Sequence, residues 1–503
     1  MPPFAAAYRF APNFCVRSLA AALALASGLL FAGARVRARV SALKPDFPKL
    51  ATIEIGDKRY DHPKFQAMIA KYDLAVIGFY KGWEGGPPSM RAAVRAIKAR
   101  NPAILLANYT LLESNYWNLK QRDAFAFSDI ANELYGETGP TGNGGTWTPN
   151  DWWARDTHGK MLLSPGYPTS ATINITRFVT PDAQGERYPE WFAEWNMEQF
   201  FDPVPGIDIW FSDNAFYRPR VDADWNRDGK MDSRYDPRVG HWLRQGMADY
   251  WAEIHRLRPG MPIMGNVDGG FDSHHEMEGF LTDPEYDGKI NGALMESNMG
   301  RNFSLERRWG WDGMMEGYRA LKRHTAAPHL IVFDVKLTPD GRILLPKDER
   351  AGYGGGAPYA AARYAFASAL MDDGYFSAEG NGYNEAAADW FDEYDLAGAA
   401  RTDWLGAAID PPPTKPYQNG VYLRRFQNGA ALVNPRSNPG TSANDRTEVD
   451  VTLPASLGHF KRFLGKQDPS INNGKELPLD AHGVPHLVIR AGDGIILVRA
   501  SAP

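Results

Sequence analysis

Eight short apolar runs recur between residues 49 and 380. They lie at 49–56, 74–80, 103–109, 207–213, 262–268, 292–297, 329–336 and 374–380, and β-branched, aromatic and leucine residues dominate them. Stretches with helical spacing separate many of them, at 62–72, 89–100, 188–201, 239–257 and 357–371. Strands joined by crossovers of about 20 residues or more pair in parallel. Eight such strands with intervening helices predict an α/β chain built as a (β/α)8 TIM barrel over residues 35–410.

Nearly every run ends in a polar side chain: Asn108, Asp213, Asn266, Glu296, Asp334 and Glu379. Carboxyl ends of barrel strands are where such folds keep their chemistry. Beyond Ile409 the pattern changes. The stretch Asp410 to Pro416, DPPPTKP, reads as a stiff linker. Period-two alternation follows at 420–426, 430–434, 448–453, 486–490 and 494–499. This predicts a C-terminal antiparallel β-sandwich domain over 417–503, with a structural or sugar-docking role.

Composition narrows the function. Aromatic residues make up 12% of the chain, with 15 Trp and 22 Tyr. That suits stacking on sugar rings, and equally suits a large core. The net charge of −5 is small for 503 residues, and no basic run points to nucleic acid. Residues 1–34 have the form of an export signal, with Arg9 and Arg17 before the apolar run Leu19 to Ala34. A secreted or periplasmic protein with no stable membrane span after cleavage is expected. An N-terminal anchor is the alternative, because Arg35, Arg37 and Arg39 follow directly. Cys15, the single cysteine, lies in this segment, which excludes thiol catalysis and disulfides from the processed chain.

Between the third and fourth runs lies a long irregular stretch, 110–170, containing GETGPTGNGG (136–145) and Trp147, Trp152 and Trp153. These tryptophans either line a cleft or pin the loop down. The stretch His274-His275-Glu276 reads as a surface loop before a zinc site. Nucleophile elbows, P-loops and zinc-helix motifs do not occur. Carboxylates remain, and glycoside hydrolysis needs two of them. Asp213 and Glu296, at the ends of the fourth and sixth strands, are the best-placed pair. Asp213 is expected to be ionised, helped by polar neighbours and a nearby cation. Glu296 is expected to keep a proton through burial in an apolar run. Tyr80, Trp83, Asn108, Tyr109, Asn214, Asn266, Asp268, Asp334, Lys336 and Glu379 are expected to bind substrate around them.

The segment DWNRDGKMD (224–232) spaces oxygen ligands as a calcium loop does. Asp224, Asn226 and Asp228 occupy positions one, three and five, Gly229 position six, the Lys230 carbonyl position seven and Asp232 position nine. Position twelve is Tyr235, so the bidentate Glu is missing. A structural Ca2+ beside Asp213 is expected, with a plain acidic turn as the alternative.

The blocks DLAVIGFY (73–80), ANYT (107–110), WFSDNAFY (210–217), ALMESN (293–298), FDVK (333–336), WFDEYD (390–395) and GVYLRRFQNGAALVNP (420–435) resemble a family of predicted glycoside hydrolases known mainly from genome sequences. The layout is also similar to endo-α-1,4-polygalactosaminidase and α-galactosidase barrels. The resemblance implies a retaining glycosidase acting on a polysaccharide or oligosaccharide, with Asp213 and Glu296 as catalytic acids. The alternative is a carbohydrate-binding barrel without turnover.

Overall fold

A computed structural model of the chain describes residues 46–55, 59–78, 90–116, 152–165, 167–267, 283–300, 304–347, 349–380, 390–436 and 448–500. Residues 1–34, Cys15, Tyr80, Trp83, the 136–145 stretch, Trp147, Asp268 and 274–276 lie outside them.

Eight parallel strands form one sheet in sequential order: β1 (Ala51–Ile55), β2 (Leu74–Gly78), β3 (Leu105–Leu111), β4 (Ile209–Asp213), β5 (Ile263–Asn266), β6 (Gly292–Met299), β7 (Leu330–Lys336) and β8 (Tyr375–Glu379). The ring closes where Phe376 N–H donates to the Lys49 carbonyl at 2.9 Å and Leu50 bridges Phe376 in parallel. This is the expected α/β barrel.

Helices wrap it: α1 (Pro63–Ile69), α2 (Met90–Arg100), α3 (Tyr188–Asn196), α4 (Pro237–Leu257), α5 (Leu305–His324) and α6 (Ala360–Ala369). Local chemistry starts several of them. Asp236 caps α4 by accepting from Arg238 N–H, with Pro237 in the first turn, and Ser304 caps α5 by accepting from Arg307 N–H. Helix α5 carries no run singled out from sequence. Among the described residues no helix is long and apolar enough to cross a membrane.

Strand alternation sorts side chains into two cores. Ala51, Ile53, Leu74, Val76, Leu105, Ala107, Ile209, Phe211, Met264, Leu294, Leu330, Val332 and Tyr375 fill the barrel interior. The intervening residues, such as Ile77, Leu106 and Trp210, pack against the helices. Continuing the inward set along each strand gives Tyr109, Asp213, Asn266, Glu296, Asp334, Lys336 and Glu379. Thus the apolar lumen ends in a polar layer at the carboxyl ends of the strands.

Between β3 and α3 the chain makes a small antiparallel sheet from Ser114–Tyr116, Leu163–Ser164 and Tyr167–Thr172. Trp152 and Trp153 are fully buried beneath it, and Trp152 Nε1 donates to the Thr180 carbonyl at 3.0 Å. These two tryptophans therefore pin the segment and do not line a cleft.

C-terminal to the barrel, β9 (Tyr422–Arg425), β10 (Gly429–Asn434), β12 (Phe460–Arg462) and β14 (Asp493–Arg499) form an antiparallel sheet in the order 9-10-14-12. The pair β11 (Glu448–Thr452) and β13 (His486–Arg490) packs beside it over Val421, Leu432, Val451, Leu487 and Ile495. This sheet covers α6, whose ten residues are all buried. Buried Arg363 on α6 donates to Asp493 at 3.0 Å and to Asp468 at 2.7 Å. Gly494 permits the contact, because a Cβ there would sit 2.5 Å from the Arg363 carbonyl. Buried Arg424 on β9 donates to the carbonyls of Leu370 at 3.1 Å and Asp372 at 2.7 Å. Asp410, first residue of the Pro-rich stretch, is held by Arg425 at 2.7 Å, so that stretch begins fastened to the sheet.

Candidate active site

Asp213 is the last residue of β4 and Glu296 lies on β6. Between them runs β5, and its Asn266 side chain links the two. Asn266 Nδ2 donates to Glu296 Oε2 at 2.9 Å, and the same amide bears on the Asp213 carboxylate. Asp213 also accepts from the Tyr109 hydroxyl and faces the backbone N–H of Asn214. Its surroundings are therefore donors.

The electrostatics differ from the sequence expectation. Burial raises the Asp213 pKa, and the Glu296 charge adds to this, while Tyr109, Asn214 and Asn266 oppose it. Glu296, expected to be enclosed by apolar groups, keeps 24% of its side chain exposed and lies 3.8 Å from Lys336 Nζ. Of the apolar run that precedes it, only Leu294 shares the lumen, one pleat below, while Ala293 and Met295 face the helices.

Both carboxylates are followed by a residue in the left-handed region, Asn214 at φ 51° and Ser297 at φ 54°. Asn tolerates that conformation and Ser does so less well, at a cost of order 1–3 kcal/mol. A neighbouring carboxylate holds each one. The Asn214 side chain donates to Glu113 Oε1 at 2.9 Å. The Ser297 N–H donates to Asp334 Oδ2 at 3.2 Å. The pairing of β6 with β7 shifts register between Met295 and Met299, where Glu296 and Ser297 lie.

Lys336 Nζ bonds Glu379 and lies 3.9 Å from Asp334 Oδ2. Burial pushes the Asp334 carboxyl well up, with the Glu379 charge adding to it. Burial also raises Glu379, against the pull of Lys336. Asp334 and Lys336 both face the lumen, but Asp334 is fully buried, one pleat below the partly exposed Lys336, and supports the layer from below. Asn108, expected at the site, faces the other way: its register partners are Ile77 and Trp210, both in the helix-facing core.

Two residues were not singled out from sequence. Glu113 follows β3 by two residues, is buried, and accepts from Arg220 Nη1 at 3.3 Å. Arg220 also donates to the Pro165 carbonyl at 2.9 Å and stacks over Phe216. A buried acid just past a strand end was the available signal, but nothing local ties it to Arg220.

The loop after β4 folds around Asp224. Its two oxygens accept from Asp228 N–H at 2.9 Å and Gly229 N–H at 3.0 Å, Asp228 accepts from Lys230 N–H at 2.9 Å, and Asp232 accepts from Trp225 N–H at 3.0 Å. Asn226 Oδ1 accepts from Asp228 N–H at 3.1 Å. Gly229 supplies the required φ of +83°. Buried Trp225 anchors the loop, and its carbonyl accepts from Asn174 at 3.0 Å. Among the described residues no group of three or more His, Cys, Asp or Glu side chains converges as a metal site.

The sequence matches, over residues 98–430, the model of a family described as hypothetical glycosyl hydrolase family 15. The chain belongs to this family. The match runs from α2 to β10 and includes both Asp213 and Glu296. No curated protein is similar in sequence. Among solved structures, the glycoside hydrolase domain of PelA from Pseudomonas aeruginosa is 14% identical, covering 68% of this chain and 97% of that one, with a TM-score of 0.38. Amy13B from Eubacterium rectale is 8% identical, covering 91% and 98%, with a TM-score of 0.49. The GH36 α-galactosidase AgaA from Geobacillus stearothermophilus is 9% identical, covering 91% and 56%, with a TM-score of 0.38.

Proposed function

We propose that this member of the glycosyl hydrolase family is an active, retaining glycosidase. The glycosidase reading rests on one observation: two inward carboxylates, Asp213 and Glu296, flank the single side chain of Asn266 at the carboxyl ends of the barrel strands, and the retaining class rests on the resemblance to retaining barrels. Asp213 is the nucleophile, because donors surround it and stabilise an anion as it approaches the anomeric carbon. Glu296 is the acid/base. Its partial exposure lets it meet both the leaving oxygen and the incoming water. In the first step Asp213 forms the glycosyl ester while Glu296 gives its proton to the leaving oxygen. In the second, Glu296 takes a proton from water, which cleaves the ester.

The substrate is a polysaccharide or oligosaccharide, and the protein is exported to meet it. Of the residues expected to bind it, Tyr109, Asn214, Asn266, Lys336 and Glu379 belong to the proposed site. A calcium ion at Asp224, Asn226, Asp228, the Lys230 carbonyl and Asp232 belongs to the proposal as a stabiliser only. The loop's own amide bonds leave further lone pairs on those carboxylates for an ion.

The test is Asp213→Asn and Glu296→Gln, made separately and assayed on a polysaccharide panel and on aryl glycosides. Each variant is expected to lose about three orders of magnitude or more in turnover while staying folded. Azide should partly restore Glu296→Gln on substrates with activated leaving groups, with retained configuration in the product. Near-parental activity in either variant removes that residue from its role. Binding without turnover in the parent replaces the enzyme with a carbohydrate-binding barrel.

A further inference from the structure

Glu113 lies outside the lumen's inward set, yet it touches the proposed site through one bond. Its Oε1 accepts from Asn214 Nδ2 at 2.9 Å and from Arg220 Nη1 at 3.3 Å. Asn214 has a left-handed backbone and directly follows Asp213. The Asn214 N–H, in the peptide that joins the two residues, is among the groups that lower the Asp213 pKa. A buried acid is an expensive tether, since its charge must be compensated. Arg220 supplies the compensation and is itself fixed by the Pro165 carbonyl and the Phe216 ring. The residues of this chain of contacts come from three places: the end of β3, the small antiparallel sheet, and the loop beyond β4.

We propose that Glu113 is a positioning residue: through the Asn214 side chain it fixes the left-handed turn directly after Asp213, and with it the backbone amide beside that carboxylate, with Arg220 as its counter-charge. The proposal rests on the reading of Asp213 as the reactive carboxylate. Ser297 offers the parallel case, a left-handed residue after Glu296 whose N–H is held by Asp334. Two opposing effects on Asp213 follow. The Glu113 charge raises the proton affinity of Asp213 by repulsion, and the N–H that it positions lowers it. Tyr109, Asn266 and Glu296 also face Asp213, and the variants below leave all three in place.

The experiment reads the Asp213 carboxyl directly, by carbon NMR of protein labelled at aspartate carboxyls, with Asp213→Asn giving the assignment. Glu113→Gln keeps the acceptor and removes the charge, so Asp213 should titrate at lower pH than in the parent. Glu113→Ala removes both, so Asp213 should titrate at higher pH than in the Gln variant. Asn214→Gly allows the backbone turn but drops the tether, so Asp213 should titrate above the parent. With an active substrate, Glu113→Ala should lower kcat about tenfold or more with KM changed less than about twofold, and Glu113→Gln should recover most of that loss. Equal titration in the Gln and Ala variants, or parental titration in Asn214→Gly, overturns the proposal. Absence of turnover in the parent sinks the glycosidase reading alone, because the titration needs no substrate.

Discussion

The Asn266 amide donates to Glu296 Oε2 at 2.9 Å while bearing on Asp213 one strand away. One side chain therefore bears on both proposed catalytic groups. Asn266→Ala should lower turnover by about 10- to 100-fold. It also removes a group that favours ionised Asp213, so the acid limb of kcat/KM should move to higher pH. A pH–rate profile of the variant checks both effects, and an unmoved acid limb would separate Asn266 from Asp213.

Lys336 compensates buried Glu379 and stands near Asp334 and Glu296. Replacing it by Met leaves Glu379 without its cation. Removing one partner of a buried pair costs about 3–5 kcal/mol. Lys336 lowers the Glu379 pKa, so in the variant that carboxyl binds its proton more tightly. The loss of stability should therefore be greatest at neutral and higher pH and should shrink on acidification. Thermal melts of parent and variant from pH 5 to pH 8 measure it. A loss independent of pH would assign Lys336 a packing role only.

Asp73 sits at the opposite end of the barrel, where its Oδ2 accepts from Leu50 N–H at 2.8 Å. Burial pushes its pKa up to about 6, with Asp403 adding to this and Leu50 and Lys49 opposing. A raised carboxyl contributes stability below its unfolded value that is lost as pH rises through about 6. Asp73→Asn keeps the acceptor and cannot ionise. It should match the parent near pH 4 and exceed it by at most about 3 kcal/mol near pH 8. Equal denaturation midpoints at both pH values would show that Asp73 ionises freely in the fold.

The loop around Asp224 gives a calcium test. If an ion binds the folded state alone, calcium raises the melting temperature with concentration. A chelator should then lower it in the parent, and Asp228→Ala should abolish the response. A parent whose melting temperature ignores both calcium and chelator has a self-capped acidic turn here.

Much of this protein is written locally. Eight apolar runs with polar ends are legible because strand side chains alternate with a period of two. Tyr109, Asp213, Asn266, Glu296, Asp334 and Glu379 fall in step with the apolar residues that fill the lumen. The same rule, applied with the register in hand, turns Asn108 to the helices, since it pairs with Ile77 and Trp210. Long-range geometry decided the rest. Which strand ends meet depends on closure between β1 and β8 and on the order of the sheet, and these brought Asn266 between Asp213 and Glu296. Burial is a property of the whole fold, so the raised Asp213 pKa and the sunken Asp334 have no local sign. Glu113 and Arg220 are 107 residues apart. No periodicity connects them; only the folded chain brings that carboxylate and its counter-charge together beside Asn214.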